Sequence, residues 1–209
     1  MRVQLPKVYP ITDTEISGLS HCEQVKRLSE GGATLIQLRE KRASSRVFYS
    51  DAEATLQIAR SAGVKLIIND RVDIAFALRA DGVHLGQEDM PVDAARRILG
   101  DEVVIGFSTH NIEQVHEALR LPIDYLAFGP IFPTSSKRNP DPVAGLNQLS
   151  LVREMATPMP VVAIGGINSI NARDVLNAGA DAVAIISALL ASPTRIAENL
   201  QHLAASLEW

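Results

Sequence analysis

The amino-acid sequence predicts an α/β protein, a closed (β/α)8 TIM barrel, and three observations lead there. Short apolar runs recur eight times, segments of helical periodicity separate them, and the whole pattern occupies only 209 residues. Several of the runs are almost continuously apolar, as strands are when a parallel sheet is buried on both faces. Eight strand–helix units in about 200 residues fit the lower size limit of the closed barrel. A doubly wound open sheet is the alternative, and it would leave eight strands with two edges to protect.

The strands are expected at 8–12 (VYPIT), 35–39 (LIQLR), 65–69 (KLIIN), 82–86 (GVHLG), 103–107 (VVIGF), 124–128 (DYLAF), 160–164 (PVVAI) and 182–186 (AVAII). Apolar residues three and four apart predict helices over 21–31, 47–62, 92–99, 112–120, 146–156, 169–178 and 193–206. In the last of these, Ile196, Leu200, Leu203 and Leu207 form one stripe. Asn111 and the pair Ser192-Pro193 are helix-start signals. No linker, low-complexity tract or change of composition divides the chain, so residues 1–209 are expected to be a single barrel domain.

Composition excludes several classes. A hydrophobic content of 46% and a charged content of 21% are ordinary for a soluble globular protein. The longest apolar stretches, around 161–167 and 182–191, fall short of the ~20 residues that span a bilayer, and no secretory signal is visible. No membrane partner is expected. The net charge is −4 with no run of like charges, which argues against nucleic acid as a partner. Cys22 is the sole cysteine, which excludes an internal disulfide and suits a reducing compartment, so a cytoplasmic location is expected. Lysine is scarce, at five residues against fifteen arginines, which draws attention to Lys41 and Lys137.

Barrel enzymes carry their sites at the C-terminal ends of the strands, and the unusual polar residues of this chain collect there. Alternation puts Gln37, Arg39 and Lys41 on one side of the second strand. Two cations held together call for an anion, usually phosphate, unless they are strand-end charges in solvent. Asp70 and Asp89 end neighbouring strands beside Asn69, a set that suits Mg²⁺ with water and substrate phosphates completing its shell. Both acids could instead be helix N-caps. The turn Gly165-Gly166-Ile167 and the pair Ile186-Ser187 follow the seventh and eighth strands, where this fold commonly binds phosphate; tight turns are the other reading.

Other candidates carry less. His84 lies within a strand and reads as a satisfied core residue, His110 as a site residue or a helix start, and His21, His116 and His202 as surface residues. There is no HExxH, CxxC or Walker-type loop, and Cys22 has no neighbouring base. Residues 130–145 form the longest connection and contain Pro130, Pro133, Pro140 and Pro142 around a polar run. That segment is expected to be a lid ordered by substrate, a rigid proline-braced loop being the alternative.

The ordered set QLREK (37–41), NDR (69–71), ADGVHLGQED (80–89), STH (108–110), GPIFPTSSK (129–137), AIGGI (163–167) and IISA (185–188) resembles the thiamine-phosphate synthase family, from the second strand to the eighth. The resemblance implies a Mg²⁺-dependent transferase of thiamine biosynthesis. It would couple 4-amino-5-hydroxymethyl-2-methylpyrimidine diphosphate to a carboxylated methylthiazole phosphate, giving thiamine phosphate, pyrophosphate and CO₂. It places the pyrimidine diphosphate site on Gln37, Arg39, Lys41, Asn69, Ser108 and Lys137, and the Mg²⁺ ligands on Asp70 and Asp89. It places the thiazole phosphate site on Thr134, Ser136, Gly166, Ile186 and Ser187. Many relatives have threonine where this chain has Ser136, which keeps the hydroxyl. Pyrophosphate would leave as Mg²⁺, Arg39, Lys41 and Lys137 neutralise its charge. The resulting carbocation would be captured by the thiazole nitrogen, whose own lone pair makes a protein base unnecessary. The competing expectations are a thiazole tautomerase on the same barrel, which would not need the metal acids, and a non-enzymatic sensor of thiazole phosphate. Partners are expected to be small phosphorylated molecules, and a homo-oligomer is compatible with the sequence.

Overall fold

In the computed structural model of the protein, residues 4–134 and 141–207 are described. The chain alternates β1 (Val8–Pro10), α1 (Thr14–Ser17), α2 (His21–Glu30), β2 (Leu35–Leu38), α3 (Ser45–Ser61), β3 (Lys65–Asn69), α4 (Val72–Leu78), β4 (Gly82–Leu85) and α5 (Val92–Leu99). It continues through β5 (Val104–Thr109), α6 (Ile112–Ala118), β6 (Tyr125–Phe128), α7 (Gly145–Ala156), β7 (Val161–Ile164), α8 (Ala172–Asn177), β8 (Ala182–Ile185) and α9 (Ser187–Leu190). A 3₁₀ turn, Pro193–Arg195, then leads into α10 (Ile196–Leu207).

All neighbouring strands pair in parallel, in the order β1-β8-β7-β6-β5-β4-β3-β2. The remaining seam closes through a bridge between Ile11 and Gln37, where the Thr12 N–H donates to the Gln37 carbonyl at 2.9 Å. The expected (β/α)8 barrel is thus the observed one. Strand ends differ from expectation by a residue or two. Regular β1 ends at Pro10, although the Ile11 N–H still donates to the Ile185 carbonyl at 3.0 Å. Ser108 and Thr109 stay paired to Ala127 and Phe128, so β5 runs two residues further than its apolar stretch.

The strands separate two cores. One side of the sheet packs on the helices, with Ile36, Leu38, Ile68, Val83, Ile105, Leu126 and Val183 among its buried residues. The other side fills the barrel with Tyr9, Leu35, Ile67, Val104, Tyr125, Val162 and Ala182 among others. Gly106 makes room for this packing, because a Cβ there would overlap the Tyr125 ring. The period of two along a strand therefore sends every second residue into the barrel, and near the C-terminal ends those residues turn polar.

α4 is a helix the periodicity did not predict. Seven residues, VDIAFAL, are too short and too apolar to show a stripe, and Arg71 at its N-cap makes no side-chain cap. α3 begins two residues before expectation because the Ser44 hydroxyl accepts from the Val47 N–H.

Candidate active site

The polar strand ends converge on a cavity of about 740 Å³ at the barrel mouth. Gln37, Arg39, Lys41, Asn69, Asp70, Asp89, Ser108, Thr134, Gly166, Ile186 and Ser187 all line it, so each sequence-predicted site residue that is described falls in one place. Ser136 and Lys137, and with them the centre of the expected lid, lie outside the described residues.

The two cations of β2 are not bare. Arg39 donates to Asp13 Oδ2 at 2.8 Å, and Lys41 Nζ lies 2.5 Å from Asp70 Oδ2. Asp13 serves twice, since its other oxygen caps α1 through the Glu15 and Ile16 N–H groups. The positive charge at the mouth is therefore held in place by carboxylates that a more strongly charged ligand can compete with.

Neither metal candidate is a helix cap. Asp70 precedes the N-cap of α4, and Asp89 Oδ2 accepts from the Gly86 N–H within its own loop at 2.7 Å. Asp70 adopts φ 62°, one of two non-glycine residues with positive φ among those described, and its N–H is tied to the His84 carbonyl. Such a strained conformation persists where the surroundings impose it, and it sits here on a residue that faces the cavity. Burial raises the Asp89 carboxyl above the usual carboxylate range, the neighbouring Asp70 charge raises it further, and the Gly86 amide and Lys41 offset this only in part. Two mutually repelling carboxylates fit a divalent cation. Among the described residues no group of three His, Cys, Asp or Glu side chains could hold a metal alone. Mg²⁺ needs no more than one or two protein carboxylates when phosphates and water supply the rest, so the pair fits that ion.

Asn69 Nδ2 is the one buried side-chain polar atom among the described residues without a hydrogen-bond partner. A buried unpaired donor costs about 1–3 kcal/mol, and a ligand acceptor in the cavity would relieve it. On the opposite rim Gly165 and Gly166 take φ 100° and 66°, and a Cβ on Gly166 would lie 2.5 Å from the Pro133 carbonyl oxygen. The glycine turn is thus packed against the loop that follows β6, beside Thr134.

Two cavity histidines were given little weight in the sequence reading. His84 is buried as expected, but it also lines the cavity and binds Ser108 Oγ at 2.8 Å. His110 reaches it too; its Nδ1 donates to the Gly129 carbonyl and its Nε2 lies 3.6 Å from Asp141. His21 corrects the expectation of a surface residue. It is fully buried, with Nδ1 2.8 Å from Thr12 Oγ1 and Nε2 3.4 Å from Glu40. Thr12 Oγ1 in turn accepts the Arg39 N–H, so His21 braces the strand end that carries Arg39. His116 and His202 are exposed as expected.

A parallel barrel with a charged cavity at the C-terminal ends of its strands is the architecture of a (β/α)8-barrel enzyme. The thiamine monophosphate synthase family model matches residues 8–189. The thiamine-phosphate synthase of Chloroflexus aurantiacus is 46% identical over 187 residues, covering 89% of this chain and 86% of that one. The thiamine-phosphate synthase of Koribacter versatilis is 46% identical over 96% of this chain and 97% of its own. Among solved structures, a thiamine phosphate pyrophosphorylase from Pyrococcus furiosus superposes with a TM-score of 0.85 at 39% identity, covering 96% of this chain and 95% of that one. The chain belongs to the thiamine monophosphate synthase family.

Proposed function

We propose that this chain is a Mg²⁺-dependent transferase that joins 4-amino-5-hydroxymethyl-2-methylpyrimidine diphosphate to a carboxylated methylthiazole phosphate, releasing pyrophosphate and CO₂. The observation that carries the reading is the meeting of Arg39, Lys41, Asp70 and Asp89 at one cavity whose far rim is the Gly165-Gly166 turn. Cations and metal acids on one side suit a diphosphate, and a close-approach backbone turn on the other suits a second phosphate. Family membership names the product, thiamine phosphate.

In this reading Arg39 and Lys41 exchange Asp13 and Asp70 for diphosphate oxygens, and Asn69 Nδ2 gains its missing acceptor. The bond between the pyrimidine methylene carbon and its oxygen breaks with the electron pair leaving on pyrophosphate. The ring nitrogen of the thiazole forms the new carbon–nitrogen bond with its own lone pair, and loss of the ring carboxylate as CO₂ leaves that bond's electron pair on the ring carbon, which takes a proton from water. A Mg²⁺ ion held by Asp70 and Asp89 would neutralise charge on the departing diphosphate. Lys137 joins the diphosphate side, and Thr134 and Ser136 the thiazole phosphate side with Gly166, Ile186 and Ser187, by their place in the family motifs. A lone cysteine and biosynthetic relatives support a cytoplasmic location.

A tautomerase would have no use for the paired acids, which are retained with both cations. The test is pyrophosphate release from the purified chain with both substrates and Mg²⁺, each omitted in turn. Release that requires all three is expected; thiazole isomerisation without the diphosphate, or binding without turnover, would overturn the proposal.

A further inference from the structure

The glycine turn on the far rim is held by a side chain that stands behind it. Three consecutive carbonyls leave the end of β7, and each has a partner that fixes its direction. The Ile164 carbonyl accepts the Ile131 N–H at 2.9 Å and the Gly165 carbonyl accepts the Phe132 N–H at 3.0 Å, both from the backbone of the loop after β6. The Gly166 carbonyl is held differently, by Asn171 Nδ2 at 3.1 Å. The other end of the same amide, Oδ1, accepts the Asn168 N–H at 2.8 Å. One partner only accepts and the other only donates, so a single orientation of the amide satisfies both.

Asn171 occupies the N-cap position of α8, where an asparagine side chain ordinarily accepts from the first helical N–H groups. It makes no such bond here. The side chain forgoes the helix and spans the turn instead. The Gly166–Ile167 peptide bond is trans, so its N–H points opposite to its carbonyl. Asn171 lies outside the cavity lining, whereas Gly165, Gly166 and Ile167 belong to it. Drawing the Gly166 carbonyl toward Asn171 therefore turns the Ile167 N–H toward the cavity. Among the described residues neither the Gly166 N–H nor the Ile167 N–H makes a hydrogen bond. Two successive free N–H groups, in a turn whose glycines take positive φ, form a concavity suited to an anion.

We infer that Asn171 is a positioning residue that holds the Gly166 carbonyl out of the cavity and aims the Ile167 N–H at a bound phosphate. The first two carbonyls are held by backbone groups that no substitution removes. The third depends on one side chain, so the affinity of the turn for an anion can be changed there without altering a residue that lines the cavity. That this anion is the thiazole phosphate rests on the proposed function; the orientation of the turn does not.

Asn171→Ser tests the assignment, because serine caps a helix about as well as asparagine but is too short to span both partners. The helix start is preserved while the Gly166 carbonyl loses its donor. Inorganic phosphate, titrated into ¹⁵N-labelled wild-type protein, should shift the Gly166 and Ile167 amide resonances. In Asn171→Ser its affinity should fall about threefold to tenfold, the loss of one neutral hydrogen bond, with an unchanged melting temperature. In turnover the KM for the thiazole phosphate should rise by the same factor, while kcat and the KM for the pyrimidine diphosphate change by less than about twofold. Asn171→Asp keeps the size of the side chain and its acceptor for the Asn168 N–H, and sets a carboxylate oxygen against the Gly166 carbonyl. Phosphate should bind it no more tightly than it binds the serine variant. Amide resonances that phosphate leaves unmoved in the wild type, or wild-type phosphate affinity in both variants, would overturn the inference. So would a lowered melting temperature with both KM values raised together, the signature of a residue that only supports the fold. Absence of all turnover in the wild type would remove the proposed function, and the phosphate titration would still decide the role of Asn171.

Discussion

Lowering the pH should withdraw stability from this protein through His84, by an amount the structure sets. The imidazole is buried inside the barrel, and burial chiefly, with Lys41 assisting and Asp70 opposing, pulls it from the ordinary 6.5 to about 4. The sign follows from linkage. Above pH 6.5 the side chain is neutral in both folded and unfolded chains and contributes no pH dependence. Between 6.5 and about 4 the unfolded chain takes up a proton that the folded chain refuses, so stability falls as pH falls. At about 1.36 kcal/mol per pH unit the full loss is about 3 kcal/mol, of which about 2 kcal/mol is spent by pH 5. Urea denaturation of the wild type and of His84→Gln, at pH 7.5 and again near pH 5, isolates this contribution. Carboxylate contributions common to both proteins cancel in the difference. The stability advantage of the wild type over the variant should shrink by about 2 kcal/mol across that interval. Parallel curves for the two proteins would refute the reasoning, because a histidine that charged as easily when folded would give no such convergence.

Asp70→Asn keeps a residue that tolerates positive φ, so circular dichroism should be unchanged. Calorimetric Mg²⁺ binding and Mg²⁺-dependent turnover should fall by at least the roughly tenfold to hundredfold typical of damage around a metal site. Gly166→Val forces a β-branched residue into φ 66° and against Phe132 and Pro133. It should cost about 1–3 kcal/mol in thermal denaturation and raise the KM for the thiazole phosphate; an unshifted melting curve would contradict the packing described. Arg96→Met removes the guanidinium from the buried Asp124 carboxylate, which keeps the Ile105 N–H, and from the Gly100, Val103 and Pro122 carbonyls. A loss of about 3–5 kcal/mol is expected with both KM values unchanged, and altered substrate affinity would mean that the far end of the barrel is coupled to the mouth.

The fold was legible because its two periods are physically distinct. Buried parallel strands read as apolar runs and their helices as stripes, and the helices that escaped, α1, α4 and α9, are all too short to show a stripe. The charged half of the site was legible for a related reason: Arg39, Lys41, Asp70 and Asp89 are expensive to bury, so their place at strand ends needed an explanation. The neutral half was harder. Histidine and tyrosine within apolar strands are compatible with ordinary core packing, and Tyr125 drew no notice at all. One signal was available, since His84 shares the parity of Gly82, and Tyr9 that of Ile11, on the inward side of their strands. His21 was misread because it opens an amphipathic helix, and its partners Thr12 and Glu40 come from two other strand ends that no local pattern links to it.

The two ends of the barrel use the same side chain for opposite purposes. Asp81, Asp124 and Asp181 each stand directly before a strand, and each accepts the N–H of the preceding odd-numbered strand: Leu66 at 2.9 Å, Ile105 at 2.8 Å and Val161 at 2.8 Å. Two of them also bind an arginine from a nearby helix, Asp124 with Arg96 of α5 and Asp181 with Arg153 of α7. The arginine and its aspartate are 28 residues apart in both cases, and the aspartates precede β6 and β8, two units apart in the barrel. These acids have their partners supplied by the chain itself, and the strand starts are pinned in register as a result. At the other end Asp70 and Asp89 face each other, Asn69 Nδ2 has no partner among the described residues, and the cations hold acids that a diphosphate could displace. Pinning one end rigidly is what allows the other to stay under-satisfied without collapsing, because the strands cannot slide to pair its groups off. An acid immediately before a barrel strand thus acts here as a clamp, whereas Asp70 and Asp89, in the loops that follow strands, line the cavity.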